Sequence, residues 1–219
     1  GTGGGVLDAF LHDYFQRSGN VYNFPGIITA GITASGGIIN DYASGPAVYR
    51  AHIFTSSGTF NVTSVSNDPA LPNSVDYLVI AGGGGGGQGN GGGGGAGGLR
   101  STVGTTGGGG SLESAIPISN SPGSYTITVG GGGAGQLQSA PQGVSMAGSN
   151  SSFTSPLSPQ TVTSTGGGRG NNEAGGNGGC GGGGGPSDVG GSGTANQGYD
   201  GGDGGSGGPS NHSCGGGGG

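Results

Sequence analysis

Between Ala174 and Pro209 the chain is written in triplets, one variable residue followed by two glycines. Ala174, Asn177, Cys180, Gly183 and Pro186 stand three apart, and so do Asp200, Asp203, Ser206 and Pro209. A repeat of three fits neither the roughly 3.6-residue turn of an α-helix nor the two-residue alternation of a strand. It fits the polyproline II helix, with about three residues per turn. One edge of such a helix carries side chains and the other two are bare glycine backbone. The helix has no internal hydrogen bonds, so its amides and carbonyls must find partners on neighbours. Glycine edges permit that approach and add Cα–H···O contacts. Collagen is excluded, because it places glycine once per triplet among abundant proline. The remaining alternative is a flexible Gly/Ser linker. Strict triplets and the placement of the cysteines favour packed helices, while the ordering entropy of glycine opposes them.

Of 219 residues, 66 are glycine and 28% are hydrophobic, too few for an ordinary core of this length. A small β core joined to a glycine-packed part fits better. The chain divides into a connecting and oligomerisation segment at 1–46, a β scaffold with glycine-rich insertions at 47–165, and a glycine-rich bundle at 166–219. The net charge is −6, and the cations are Arg17, Arg50, Arg100 and Arg169. Four scattered arginines make no basic patch, which argues against nucleic acid as a partner. No apolar run is long enough for a membrane span.

Cys180 and Cys214 both lie among the glycines. Neither sits in a metal-binding Cys pair. Their placement predicts a Cys180–Cys214 disulfide, contributing on the order of 3–4 kcal/mol and implying an oxidising, extracellular setting. Two small buried thiols are the alternative.

In the first segment Val6, Leu7, Phe10, Leu11, Tyr14 and Phe15 recur at helical spacing, which predicts a short amphipathic helix. At that length it must pack on another surface to persist. The uncharged run from Ile27 to Ala34 reads as an edge strand or as one lent to a neighbouring subunit. Both features predict self-association through 1–46.

Val48 to Phe54 reads as a strand, with a turn at Thr55–Gly58 and Thr59 to Thr63 as the return strand. Val75 to Ala81 is the most hydrophobic run, and that predicts a central position in a sheet. Ser124 to Val129 alternates after a Pro122-Gly123 turn, while Ser151–Phe153 and Thr161–Thr163 are weaker strands. Short strands with polar turns predict a small β-sandwich. Three of these strands run into glycine: Ala81 into Gly82, Val129 into Gly130, and Thr165 into Gly166. The sandwich would then root the glycine helices and offset part of their ordering entropy. The fold class is mainly β with polyproline II.

The order His52-Ile53-Phe54-Thr55-Ser56-Ser57-Gly58-Thr59-Phe60, then Val75-Asp76-Tyr77-Leu78-Val79-Ile80-Ala81-Gly82-Gly83-Gly84, resembles the glycine-rich domain of phage tail-fibre and virion structural proteins. Ser124 to Gly132 and Asn150 to Phe153 continue the likeness, which covers about Ala47 to Gly219. The glycine part also resembles tail-fibre tip adhesins built from layered polyproline II helices, whose tip loops choose the host receptor. The resemblance implies a virion-surface or extracellular protein that binds a host glycan or outer-membrane protein. The two cysteines depart from that pattern and leave a secreted cellular protein open.

Other chemistry is poorly supported. The chain has no lysine, so no phosphate-binding Gly-Lys-Ser/Thr motif exists. His12, His52 and His212 are far apart and none stands in a nucleophile motif. Asp200 and Asp203 resemble calcium repeats. One triplet of polyproline II advances about 9 Å, too far for two carboxylates to share an ion held at about 2.3–2.6 Å. No cofactor, metal or catalytic residue is expected. Asn61, Asn150 and Asn211 begin glycosylation sequons, relevant only in a eukaryotic source.

The reading is a non-enzymatic receptor-binding protein of a viral tail fibre or virion surface. The alternative is a structural subunit of a self-assembling extracellular fibre, a trimer or a longer homo-oligomer. A secreted ice-binding protein is less suited, because the variable triplet positions form no flat Thr or Ala face. Receptor contacts are expected from loops, since bare glycine edges carry no side-chain specificity. Tyr199 with Asn196 and Gln197 is the first candidate, and Asn171-Asn172 and Asn211-His212 are further ones.

Overall fold

The structure is a computed structural model, and it describes residues 31–44, 47–137, 145–157, 160–205 and 214–219. The predicted helix at 6–15 and most of the Ile27–Ala34 strand lie outside the described residues. So do Asn211 and His212.

The described chain is mainly β, built of small antiparallel sheets. Its strands are β1 (Thr33–Ser35), β2 (Ile38–Ser44), β3 (Ala47–Ile53), β4 (Gly58–Ser64), β5 (Ser74–Val75), β6 (Leu78–Ile80), β7 (Leu99–Ser101), β8 (Ile116–Pro117), β9 (Ser124–Thr128), β10 (Ser151–Thr154) and β11 (Thr161–Ser164). Five of them form one sheet in the order β1-β4-β9-β10-β11, and the pairs β2-β3, β5-β8 and β6-β7 stand beside it. The main sheet forms because its strands alternate. In β4, Phe60 and Val62 point inward between exposed neighbours. Tyr125, Phe153 and Val162 do the same for β9, β10 and β11.

These side chains close a core with Ile116 and Ile118, against which Val75, Tyr77 and Val79 pack. Tyr125 and Phe153 lie 5.4 Å apart at the centre. The Tyr125 hydroxyl accepts from the Ser119 amide at 2.6 Å, so burying it leaves no polar group unmet. The core is small, as the hydrophobic fraction required.

Two expectations are corrected. β3 and β4 are not a hairpin: β3 pairs with β2, and β4 pairs with β1 and β9. The turn after Ser35 explains the change. Gly36 and Gly37 take φ of 107° and 66°, which sends the chain out into β2 before it returns as β3. The run from Val75 to Ala81 is not central either. It splits into β5 and β6, each in a two-stranded sheet, with Leu78 and Ile80 more than half exposed. Its hydrophobicity serves one face only, through Val75, Tyr77 and Val79.

Beyond β6, β9 and β11 the chain enters glycine, and there the backbone bonds in steps of three. The amides of Ala81, Gly84 and Gly87 donate to the carbonyls of Gly98, Gly95 and Gly92. Those of Gly92, Gly95 and Gly98 donate onward to Asn171, Gly168 and Thr165. The residues between them serve other neighbours. Gly93 and Ala96 donate to Cys214 and Gly217, and accept from Gly183 and Cys180. One stretch of chain therefore bonds to four others, each through every third residue. Parallel neighbours keep the same step: Gly133 and Gln136 donate to Gly83 and Gly86, and Gly181 and Gly184 donate to Tyr199 and Gly202.

Close approach dictates which positions are glycine. A Cβ on Gly85 would overlap the Ala134 carbonyl, whereas one on Gly86 would find its nearest atom 3.8 Å away.

Candidate functional site

The register gathers the turns of the glycine array at two ends. One end meets the sheets. There Gly98 bonds Thr165, just after β11, and the amide of Thr194 bonds Gly179. The other end holds the turn at 88–91, closed by the Gly91 amide on the Gln88 carbonyl at 2.8 Å. Beside it lie the bend at 171–174 and the turn at 186–188.

At this far end Asn171 accepts from the Gly92 amide through its carbonyl and from the Asn172 amide through its side chain, at 2.9 Å each. The Asn172 side-chain oxygen lies over Gly91, so closely that a Cβ there would overlap it. The Gln88 amide donates to Gln136 Oε1 at 3.3 Å. Asp188 donates to Gly185 and accepts from Gly204, which fixes the third turn. Ser187 sits at its tip with φ of 66°. Asn90, Asn172, Glu173 and Ser187 are exposed, with Leu137 and Met146 exposed on the neighbouring segments. The end is thus a hydrogen-bonded surface bearing amides, a carboxylate, a hydroxyl and two apolar side chains.

Asn196, Gln197 and Tyr199 are at the opposite end, against the sheets. Gln197 is a fastener: its carbonyl accepts from the Leu99 amide at 2.9 Å and its Oε1 from the Thr165 amide at 2.8 Å. Asn196 takes φ of 59° in the turn, and its carbonyl accepts from Thr106 Oγ1. Tyr199 is 55% exposed and continues the array, donating to Gly218.

A shallow cleft of about 480 Å³ opens beside this turn, lined by Arg100, Leu112, Glu113, Asn196 and Gln197 among others. Its charges are already matched. Arg100 donates to both oxygens of Glu113 and also to the Thr163 carbonyl, and the Tyr77 hydroxyl donates to Glu113 at 2.6 Å. Burial would raise the Glu113 carboxyl, but the hydrogen bonds from Arg100 and Tyr77 outweigh it and hold it below the usual range. Burial, then the bond to Glu113, pushes the Tyr77 phenol well up. The cluster ties β6 and β7 to the 113 loop.

The Cys180–Cys214 disulfide is not formed: both thiols are free. Cys180 is fully buried, with Sγ 3.8 Å from the Gly97 carbonyl, and burial raises its thiol. Cys214 instead donates to the Asp203 carbonyl at 2.7 Å. Each sulfur is directed at a different part of the array, so the oxidising setting loses its support. Of the sequon residues, Asn61 is exposed on β4, and Asn150 is exposed with its Oδ1 accepting from the Gly166 amide.

The triplet side chains have a role that the sequence reading missed. Asn177, Asp200 and Asp203 accept from the amides of Ser192, Gly193 and Gly190 at 2.7–2.8 Å. They supply acceptors along the edge of the 188–194 segment. Among the described residues no three His, Cys, Asp or Glu side chains could hold a metal ion, and no helix is long and apolar enough to cross a membrane.

A small antiparallel β scaffold carrying glycine runs that bond to one another defines a glycine-rich module. The chain belongs to the glycine-rich domain family, whose model matches residues 55–219. Neither a curated protein nor a solved structure matches the chain.

Proposed function

We propose that the chain is a non-enzymatic adhesion protein of a viral tail fibre or virion surface, in which the glycine array holds receptor-binding loops rigidly at its far end. In this reading the glycine runs are polyproline II helices packed as a bundle, and a small sandwich of the β sheets roots them. The observation that carries it is the three-residue hydrogen-bond register, the period that packed polyproline II helices require. That register joins separate runs and brings the turns at 88–91, 171–174 and 186–188 together. Binding energy concentrates in a few anchors on a rigid support, and these turns combine rigid backbone with exposed side chains. Tyr199 is the weaker candidate, because its turn faces the scaffold. The attribution to a virion rests on the sequence resemblance.

The test is binding of the labelled protein to arrayed bacterial surface polysaccharides and to outer-membrane vesicles. Substituting Asn172→Ala with Ser187→Ala should weaken binding about tenfold with the melting temperature nearly unchanged. Retained binding in that variant, with loss in Tyr199→Ala, would move the site to the scaffold end. No binding by the parent protein to either array would refute adhesion.

A further inference from the structure

We infer that the β2-β3 ribbon is the surface through which the chain associates with a second copy of itself. The ribbon pairs without a bulge from Ile38↔Ile53 to Ser44↔Ala47, and every described residue of β2 is exposed. Directly opposite residues share a face. One face therefore carries Ile38 and Ile53, Asn40 and Ala51, and Tyr42 and Tyr49. The two tyrosines stack at 5.6 Å between centroids. Ile38, Tyr42, Tyr49 and Ile53 remain 46–62% exposed. Among the described residues no other element covers this face.

A two-stranded ribbon is at best marginally stable alone in water, and an exposed apolar ribbon with two open edges is a template for pairing. Three features select a second copy as the occupant. The face carries the same residue type on both strands at two of its four levels, isoleucine opposite isoleucine and tyrosine opposite tyrosine. That suits an isologous contact, in which a patch meets itself. It also carries no charge: Asp41 and Arg50 lie on the opposite face, bonded to each other twice at 2.7 Å. Two copies of a chain of net charge −6 can thus meet here without burying a carboxylate. Finally, the ribbon pairs with no strand of the main sheet, so association through it leaves that sheet's own pairing intact. The inference does not rest on the adhesion reading.

The experiment is sedimentation and light scattering of the full chain across a concentration series, with hydrogen exchange at β4 and β9 as a folding control. The parent should be an oligomer. Tyr42→Ser with Tyr49→Ser should weaken association about 100-fold while exchange at β4 and β9 is unchanged. Val48→Ser, on the opposite face and 76% exposed, should leave association intact. A monomeric parent, an oligomeric double variant, or equal loss in Val48→Ser would each overturn the inference. If the parent is monomeric and deleting residues 1–30 removes exchange protection from the ribbon, the occupant is the chain's own leading segment and not a second copy.

Discussion

Two adjacent glycines should respond to alanine with opposite signs. Gly85 donates to Met146 at 2.8 Å and accepts from Gly170 at 2.9 Å, and a Cβ on it would overlap the Ala134 carbonyl. Relief requires the 130–136 segment to move away, which stretches the bonds from Gly133 to Gly83 and from Gln136 to Gly86, now 2.8 and 3.0 Å. Two backbone bonds at about 0.5–1.5 kcal/mol each, with overpacking strain of about 1–3 kcal/mol, make Gly85→Ala destabilising by roughly 2–6 kcal/mol. Gly86 has its nearest atom at 3.8 Å and no positive φ. There alanine only narrows the unfolded ensemble, a gain of about 0.4–1 kcal/mol. At about 2–4 °C per kcal/mol for a chain of this size, Gly85→Ala should melt roughly 4–24 °C lower and Gly86→Ala about 1–4 °C higher. Differential scanning calorimetry of the two variants reads this directly. Equal shifts in both, or a harmless Gly85→Ala, would refute the assigned close approach.

The remaining predictions concern side chains. Glu113 has a lowered pKa in the fold, so its contribution is present above the unfolded value of about 4.3 and is lost as pH falls through the folded one. Glu113→Gln should therefore flatten the acid limb of a stability–pH curve. Tyr77 is raised, so its contribution is complete below about pH 10 and is lost as pH rises beyond it. Tyr77→Phe should remove that alkaline loss. Asp203→Ala should destabilise by about 0.5–1.5 kcal/mol in denaturant melts, because the Gly190 amide loses its acceptor. Intact mass should be the same with and without reductant, and a thiol reagent should modify Cys214 well before the buried Cys180.

Strand positions were legible wherever alternation was clean, as in Thr59–Thr63 and Ser124–Val129. Their partners were not, because pairing depends on where the chain turns, and the glycines at 36 and 37 redirect it. The run at 75–81 misled because hydrophobicity measures how much surface is buried, not whether a strand has neighbours on both edges. The triplets announced a three-residue period. They could not tell that the earlier runs near 82–98 and 130–136 join the same array, since polyglycine carries no register of its own. The candidate loops divided for a related reason: Asn171-Asn172 and Asn196-Gln197 look alike in sequence, and only chain direction decides which end each occupies. The cysteines shared a glycine context but not a direction.

Residue-resolved hydrogen exchange across 81–98 tests the three-residue array most directly. Protection is expected at Gly82, Gly84, Gly85, Gly87, Gly92, Gly93 and Gly95, whose amides are bonded. Exchange should be faster at Gly83, Gly86 and Gly94, whose amides make no backbone bond among the described residues. A gap at every third residue is the expected signature. Random-coil exchange throughout, or protection alternating with a period of two, would contradict it.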